Sequence, residues 1–521
     1  MGDANNGLNE KAYMQLLAER IGIQFADLDT IEVAPNVIRM LSEKLARHYK
    51  VVPLYIDGRN LHVAVSDAMN FQAMDDLKIS TRMNIVPMLA MPKSIDLALN
   101  KYYRSSEQAE QALQEFEEIE QQNNQSANID EILMDVDSAP IVRMVNSILI
   151  DAVKAQASDI HIEPYEHDIR VRYRVDGDLV EYLKMPPSTL SGVVNRIKIL
   201  SKLNITETKR PQDGRMQMKY NGRKINMRVS MLPTVYGEKT VIRLLNAMEH
   251  ILTVKELGFT AYNQQQVNRM MKISEGMILL TGPTGSGKTT TLYALLQEMN
   301  SPKKNVITLE DPVEMQLEGV NQVPVNAQIG MTFASGLRSI LRQDPDIIML
   351  GEIRDEETAE IAIRSSVTGH VVLSTLHTND TASSITRLTD MGIPSYMITN
   401  AVAGIVAQRL LKKNCPQCSK PYPATEEEKK ILGIEGEDVV LHRGTGCPYC
   451  SNSGYKGRTS IHEILVFDKD IKAMINDHES AERIKQRACE KGMQTLAMSA
   501  KELVLSGATT VEQLVRATYN L

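Results

Sequence analysis

The sequence predicts an α/β protein of several units, the largest built on an open α/β sheet. Three observations carry this reading. Residues 277–280 (MILL), 306–309 (VITL), 347–350 (IIML) and 371–376 (VVLSTL) are short apolar runs of buried-strand length. The first enters a glycine-rich turn and then helical spacing from Thr290. The others end on acids or a histidine, at the strand edge where an open α/β sheet places its ligand chemistry. At 521 residues the chain is too long for one core, and length suggests about three to four domains.

Residues 1–104 read as a small α/β unit. Residues 13–21 and 37–48 have helical spacing, and 51–56 with 61–65 read as a hairpin around Asp57-Gly58. Nothing there has catalytic spacing, so the unit is assigned by elimination to docking or regulation. Residues 105–129 differ in kind: six glutamates fall between 107 and 120, with no Lys or Arg beside them. Such a composition buries little surface and reads as an acidic, flexible linker.

Residues 130–245 open with an amphipathic helix from Ala139 and continue through 157–164 (ASDIHIEP). Alternating strands follow at 168–175 and 179–183, joined by the hairpin turn Asp176-Gly177-Asp178. Arg170, Arg172 and Arg174 share one face at period two. A basic strand face is ordinarily just solvated. Arg210 and Arg215 are the better candidates to meet phosphate, because RPQDGR reads as a short Pro-containing turn holding both guanidiniums.

Residues 246–521 carry the chemistry. Residues 282–289 (GPTGSGKT) fit G-x-x-x-x-G-K-[ST] in a strand–loop–helix setting. Gly282, Gly285 and Gly287 let the backbone curl so that successive N–H groups face one anion, and the helix N-terminus adds partial positive charge. Lys288 neutralises the β- and γ-phosphates, and the Thr289 hydroxyl ligates Mg²⁺. Pro283, Thr284, Ser286 and Thr290 complete the cradle. This is a nucleotide phosphate site. The run 306–309 ends in Glu310-Asp311-Pro312-Val313-Glu314, and 347–350 ends in Gly351-Glu352. Gly351 stands where many nucleotide hydrolases have a metal-binding Asp, so Mg²⁺ must lean on Thr289 and on waters held by Glu310, Asp311 or Glu352. His377, just past a strand end, is placed to sense a γ-phosphate or orient water, whereas His370 reads as structural.

Cys415 and Cys418, then Cys447 and Cys450, form two C-x₂-C knuckles 28 residues apart. That is the pattern of a closed, structural Cys₄ zinc site, and disulfides are disfavoured in a reducing cytosol. The insert spans 412–455, and 456–521 reads as C-terminal helices. Cys489 stands alone and reads as a small buried hydrophobe. With 28 Met, six Phe and no Trp, the cores must be filled by aliphatics and Met. No apolar run approaches about 20 residues, so no membrane span is expected. The start, MGDANNGLNEK, lacks the layout of a secretory signal, which points to the cytosol.

Together the motifs resemble the secretion-superfamily ATPases of type II and type IV systems. The resemblance covers residues 8–521 and rests on ASDIHIEP (157–164), RPQDGR (210–215), GPTGSGKTTTLYA (282–294), ITLEDPVE (307–314), LRQDPDIIMLGEIRD (341–355), TGHVVLSTLHTND (368–380) and the tetracysteine insert. It implies a homohexameric ring whose protomers pair a PAS-like α+β domain with a RecA-like P-loop domain and bind ATP between them. It implies charge stabilisation by Arg210 and Arg215. It also implies phosphate and Mg²⁺ held at Lys288 and Thr289, and water oriented or activated by Glu314 or Glu352. The implied work is type IV pilus assembly through an inner-membrane platform protein, at the cytoplasmic face of that membrane. A type II secretion motor is the alternative. The tetracysteine insert and the N-terminal unit favour assembly over retraction motors. Some relatives bind cyclic-di-GMP through paired RLGxxLV-type segments; the nearest text here, AERIGIQFADL (18–28), has Ile for Leu and no partner repeat, so no such binding is expected. A net charge of −7 and the lack of a basic–aromatic stretch count against a nucleic-acid translocase.

Overall fold

The computed structural model describes residues 4–518 apart from 29–30, 32, 39, 68–69, 103–108, 110–111, 117–138 and 246–250. After the helix Ala4–Ile21, the first sheet of the chain has three strands. Val51–Asp57 and Asn60–Val65 pair antiparallel, and Asn84–Leu89 adds parallel to the second. The hairpin closes Asp57 on Asn60 through Gly58, at φ +60°, a left-handed position that glycine takes without steric cost. The helical spacing over 37–48 breaks into Pro35–Ile38 and Glu43–Tyr49. Ser42 stands extended between them, and its hydroxyl accepts the Leu45 N–H at 3.4 Å, which restarts the helix.

Within the stretch read as a linker, Ala109 and residues 112–116 are described, and they are helical. Ala109, Ala112 and Phe116 recur at helical spacing and are buried in the core of the next unit. The rest of 105–129 lies outside the described residues.

That next unit is a six-stranded antiparallel sheet. Its spatial order is Asp178–Met185, Ile169–Val175, Asp159–Pro164, Gly237–Leu245, Arg223–Thr234 and Gln212–Tyr220. Ile160, Ile162, Val171 and Tyr173 lie in one core with residues of the helices Ala139–Lys154 and Leu190–Leu200. Strand alternation puts Asp159, His161, Glu163 and the period-two arginines on the opposite face, as in antiparallel sheets covered on one side. One expectation is corrected here. Arg215 is not on a loop with Arg210 but inside the strand Gln212–Tyr220, directly opposite Arg228. The turn ends at Pro211, and the ladder begins at Gln212.

The largest sheet has seven strands, in the order Asn321–Pro324, Val306–Glu310, Ile347–Leu350, Val371–Leu376, Gly276–Thr281, Val402–Asn414 and Tyr455–Val466. All neighbours are parallel except the last pair. Met277, Leu279, Leu309 and Leu350 enter one core, while Ile278, Leu280, Val306 and Met349 enter another with the helix Lys288–Met299. Burial on both faces is why these strands read as unbroken apolar runs. The expectation of helices throughout 456–521 is corrected at its start. Tyr455–Val466 is a strand, its Ile461, Ile464 and Leu465 buried against the sheet, and helices follow only from Lys469. Among the described residues no helix is long and apolar enough to cross a membrane.

Candidate active site

The glycine-rich loop leaves the central sheet between Gly276–Thr281 and the helix Lys288–Met299, whose N-cap is Gly287 at φ +86°. Two glycines there are forced by crowding against one residue. A Cβ on Gly282 would meet the Gln408 carbonyl oxygen at 2.5 Å, and one on Gly287 would meet Gln408 Nε2 at 2.8 Å. Gln408 is buried on the neighbouring strand Val402–Asn414. Its Nε2 donates to the Ser286 carbonyl at 2.8 Å, and its Oε1 accepts from Thr291 Oγ1 at 2.7 Å. It therefore ties the loop to the first turn of the following helix. The sequence reading missed this residue, because nothing in its local spacing marks a partner more than a hundred positions away.

Lys288 is 9% exposed, and its Nζ donates to the carbonyls of Gly282 at 2.7 Å and Pro283 at 3.1 Å. Burial lowers its pKa to about 8, against a smaller upward pull from Glu352. The ammonium thus rests on neutral acceptors, which a phosphate can outcompete. Thr289 is exposed at the same helix start, Thr290 half-buried, and Ser286 buried with a hydroxyl that has no partner among the described residues. Pro283, Thr284 and Gly285 line the open side.

The acids separate into three environments. Glu310 is 3% exposed and accepts from Tyr293 (2.5 Å), Thr308 (2.6 Å) and Gln322 (3.0 Å). Its oxygens are taken up by Tyr293 on the following helix and by Thr308 and Gln322 on the sheet, hydrogen bonds that a water held for Mg²⁺ would have to share. Glu352 holds Arg354 at 2.5 Å and His377 Nε2 at 3.2 Å. Burial pushes its pKa up, but these two neighbours outweigh it and leave the carboxyl below its ordinary range. Glu314 is raised by burial despite Arg228 and Arg243. His370 instead hydrogen-bonds the Ser365 carbonyl through Nδ1 at 2.9 Å, away from the acids.

The arginines are sorted by sheet register. Arg174, Asp159, Arg243, Arg228 and Arg215 stand opposite one another across five adjacent strands. Asp159 takes Arg243 Nε at 2.9 Å and Arg174 Nε at 3.8 Å. Arg228 has a buried Nε without a partner among the described residues, and its charge and that of Arg243 reach Glu314. Arg210 is apart: its guanidinium is 85% exposed, 3.9 Å from Glu207. Arg228 and Arg243, passed over in the sequence, are the guanidiniums that the structure brings to the acids. Only the register reveals the row they belong to.

The four cysteines converge. Their ligand atoms lie within 4.8 Å of one another, and none is in a disulfide. Cys415 to Cys447 and Cys418 to Cys450 are both 3.8 Å between sulfurs, and Cys447 to Cys450 is 3.7 Å. A tetrahedral ion with metal–sulfur bonds of about 2.3 Å has edges of about 3.8 Å, so the set fits zinc.

Residues 134–516 match the family described as Type II/IV secretion system protein. The chain belongs to that family. As a secretion ATPase it is an ATP-hydrolysing enzyme. Residues 21–109 match the MshEN domain, which gives a family to the unit that sequence spacing assigned only by elimination. The type IV pilus assembly ATPase PilB of Myxococcus xanthus (strain DK1622) is 41% identical over 98% of this chain and 91% of its own. The type II secretion system ATPase E of Vibrio cholerae is 44% identical over 75% of this chain and 77% of its own. The ATPase DotB of Legionella pneumophila, 19% identical with a TM-score of 0.55 over 72% of this chain and 95% of that one, shares the fold.

Proposed function

We propose that this secretion ATPase is the hexameric motor that powers type IV pilus assembly. Coverage carries the reading: the pilus assembly relative aligns over 98% of the chain, which takes in the N-terminal unit, whereas the type II relative aligns over 75% of it. The high identity to type II ATPases keeps pseudopilus assembly as the second reading. In this proposal Lys288 and the loop N–H groups hold the ATP phosphates, with the Thr289 hydroxyl on Mg²⁺. Glu314, whose carboxyl burial raises, is the better proton acceptor for the attacking water, and Glu352 with His377 orients it. Arg228 and Arg243 close over the phosphates from the PAS-like sheet. Zinc in the Cys₄ set is structural, since four protein ligands leave no open position. The ring acts on an inner-membrane platform protein from the cytoplasmic side. The test is genetic: delete the gene, complement with wild type or Lys288→Ala, and score surface pili and exported proteins side by side. Loss of pili with normal export supports the pilus reading, and the converse supports the second.

A further inference from the structure

The turn Asp176-Gly177-Asp178 is used by neither the nucleotide site nor the sheet core, yet it is not left to solvent. Asp176 at φ +49° and Gly177 at φ +94° form a tight left-handed turn at the end of the PAS-like sheet. Asp176 Oδ2 accepts the Gly457 N–H at 2.8 Å, and its Oδ1 lies 3.5 Å from Arg458 Nε. Asp178 pairs with Lys412 Nζ. Lys412 and Arg458 stand opposite each other on the antiparallel ladder of the ATPase sheet, and the next pairing, across a register shift, is Asn414 with Tyr455. Immediately beyond it the ladder opens into the tetracysteine insert. Cys415 N–H donates to the Gly454 carbonyl at 2.9 Å, and Gly454 N–H donates to Cys450 Sγ at 3.3 Å. Both strands that receive the turn are thus fastened at a cysteine pair.

We propose that the metallated tetracysteine insert builds a receptor for the 176–178 turn, and so sets how the PAS-like unit is held over the nucleotide site. The turn follows Arg174, which stands opposite Asp159, so a displaced turn shifts the arginine row that faces Glu314. The inference rests on the zinc reading above, and the test separates the two. A carbodiimide joins carboxylates to amines in contact, and the linked peptides of the full-length protein are read by mass spectrometry, with zinc content measured in parallel. An Asp178–Lys412 link is expected in zinc-loaded protein and strongly reduced after zinc removal, in Cys418→Ser, and in Asp176→Asn, which suits the same left-handed turn. The Lys485–Asp380 link, inside the ATPase unit at 2.8 Å, should persist in all of them. A link unchanged by zinc removal overturns the metal dependence. No Asp178–Lys412 link beside a normal Lys485–Asp380 link overturns the docking. A link joining isotopically labelled to unlabelled chains overturns its place within one chain. If the protein holds no zinc, the metal reading fails while the Asp178–Lys412 link still judges the docking. The pair Asp176→Asn with Asp178→Asn should raise the KM for ATP about five-fold, as expected when less of the protein holds the binding-competent arrangement. A lost link with unchanged KM overturns the connection to the nucleotide site.

Discussion

The charged face of the PAS-like sheet has two ends built from the same residue types, and they do different things. At one end Glu163 takes Arg172 at 2.7 Å and Lys239 at 2.8 Å, while Asp168 holds Arg170 at 3.2 Å, so each arginine faces an acid of its own unit. At the other end Asp159 serves both Arg174 and Arg243, and Arg228 and Arg215 extend the row with no further carboxylate in it. Cations with fixed carboxylate partners hold the sheet together. Cations in excess are available to a ligand. Lys288 belongs with the second group, because its acceptors are backbone carbonyls that a phosphate can replace.

Breaking the comparison where the effect is largest, Lys288→Ala should lower ATP turnover by about 10³-fold or more, since phosphoryl transfer depends on charge neutralisation. Steady-state assays on protein with an unchanged circular dichroism spectrum check this, and wild-type-like turnover would remove Lys288 from the site. Glu314→Gln should lower kcat by about 10²–10⁴-fold with nucleotide binding retained, the range for loss of a general base. Glu310→Gln should leave kcat within about ten-fold and instead lower the melting temperature, because its bonds are structural.

The arginines sharpen the contrast directly. Arg228→Ala should cut kcat by about 10²-fold or more without loss of stability, as for removal of one charge stabiliser in a closed site. Arg172→Ala should do the reverse, costing about 1–3 kcal/mol in denaturant unfolding because it strips a donor from the buried Glu163, with little change in kcat. Equal kinetic effects of the two would erase the distinction between the ends. The smallest effect is a pH dependence. Lys288 in the folded protein loses its proton near pH 8, below its unfolded value, so the unfolded chain binds more protons above that pH and stability rises as pH climbs through this window. A bound phosphate favours the charged form, so ATP binding should take up a proton above about pH 8 and weaken with rising pH. Calorimetry in buffers of different ionisation enthalpy reads that uptake, and Lys288→Ala should abolish it.

What the sequence determined by itself is whatever is contiguous. The phosphate loop is legible because strand, glycines, Lys288, Thr289 and helix follow one another within a few residues, and their chemistry depends on that local path. The cysteine knuckles are legible for the same reason: two short loops each preset a pair of ligands, and tetrahedral closure needs only that the pairs meet. The apolar runs announce a sheet covered on both faces. What only the tertiary structure decided is whatever depends on register or on partners far along the chain. Glu310, Glu314 and Glu352 are alike as letters, and become a hydrogen-bonded acid through Tyr293, a carboxyl raised by burial against the pull of Arg228 and Arg243, and one ion-paired to Arg354 and His377. Period two put Arg170, Arg172 and Arg174 on a face, but a two-residue slip in pairing would keep that face and change the acids opposite them, and no local signal fixes that register. Gln408 lies in an apolar strand, and its grip on the phosphate loop exists only because parallel pairing sets Ala407, its neighbour, beside Thr281. Local chemistry is written in the order of residues, whereas electrostatic roles are assigned by the neighbours that folding supplies.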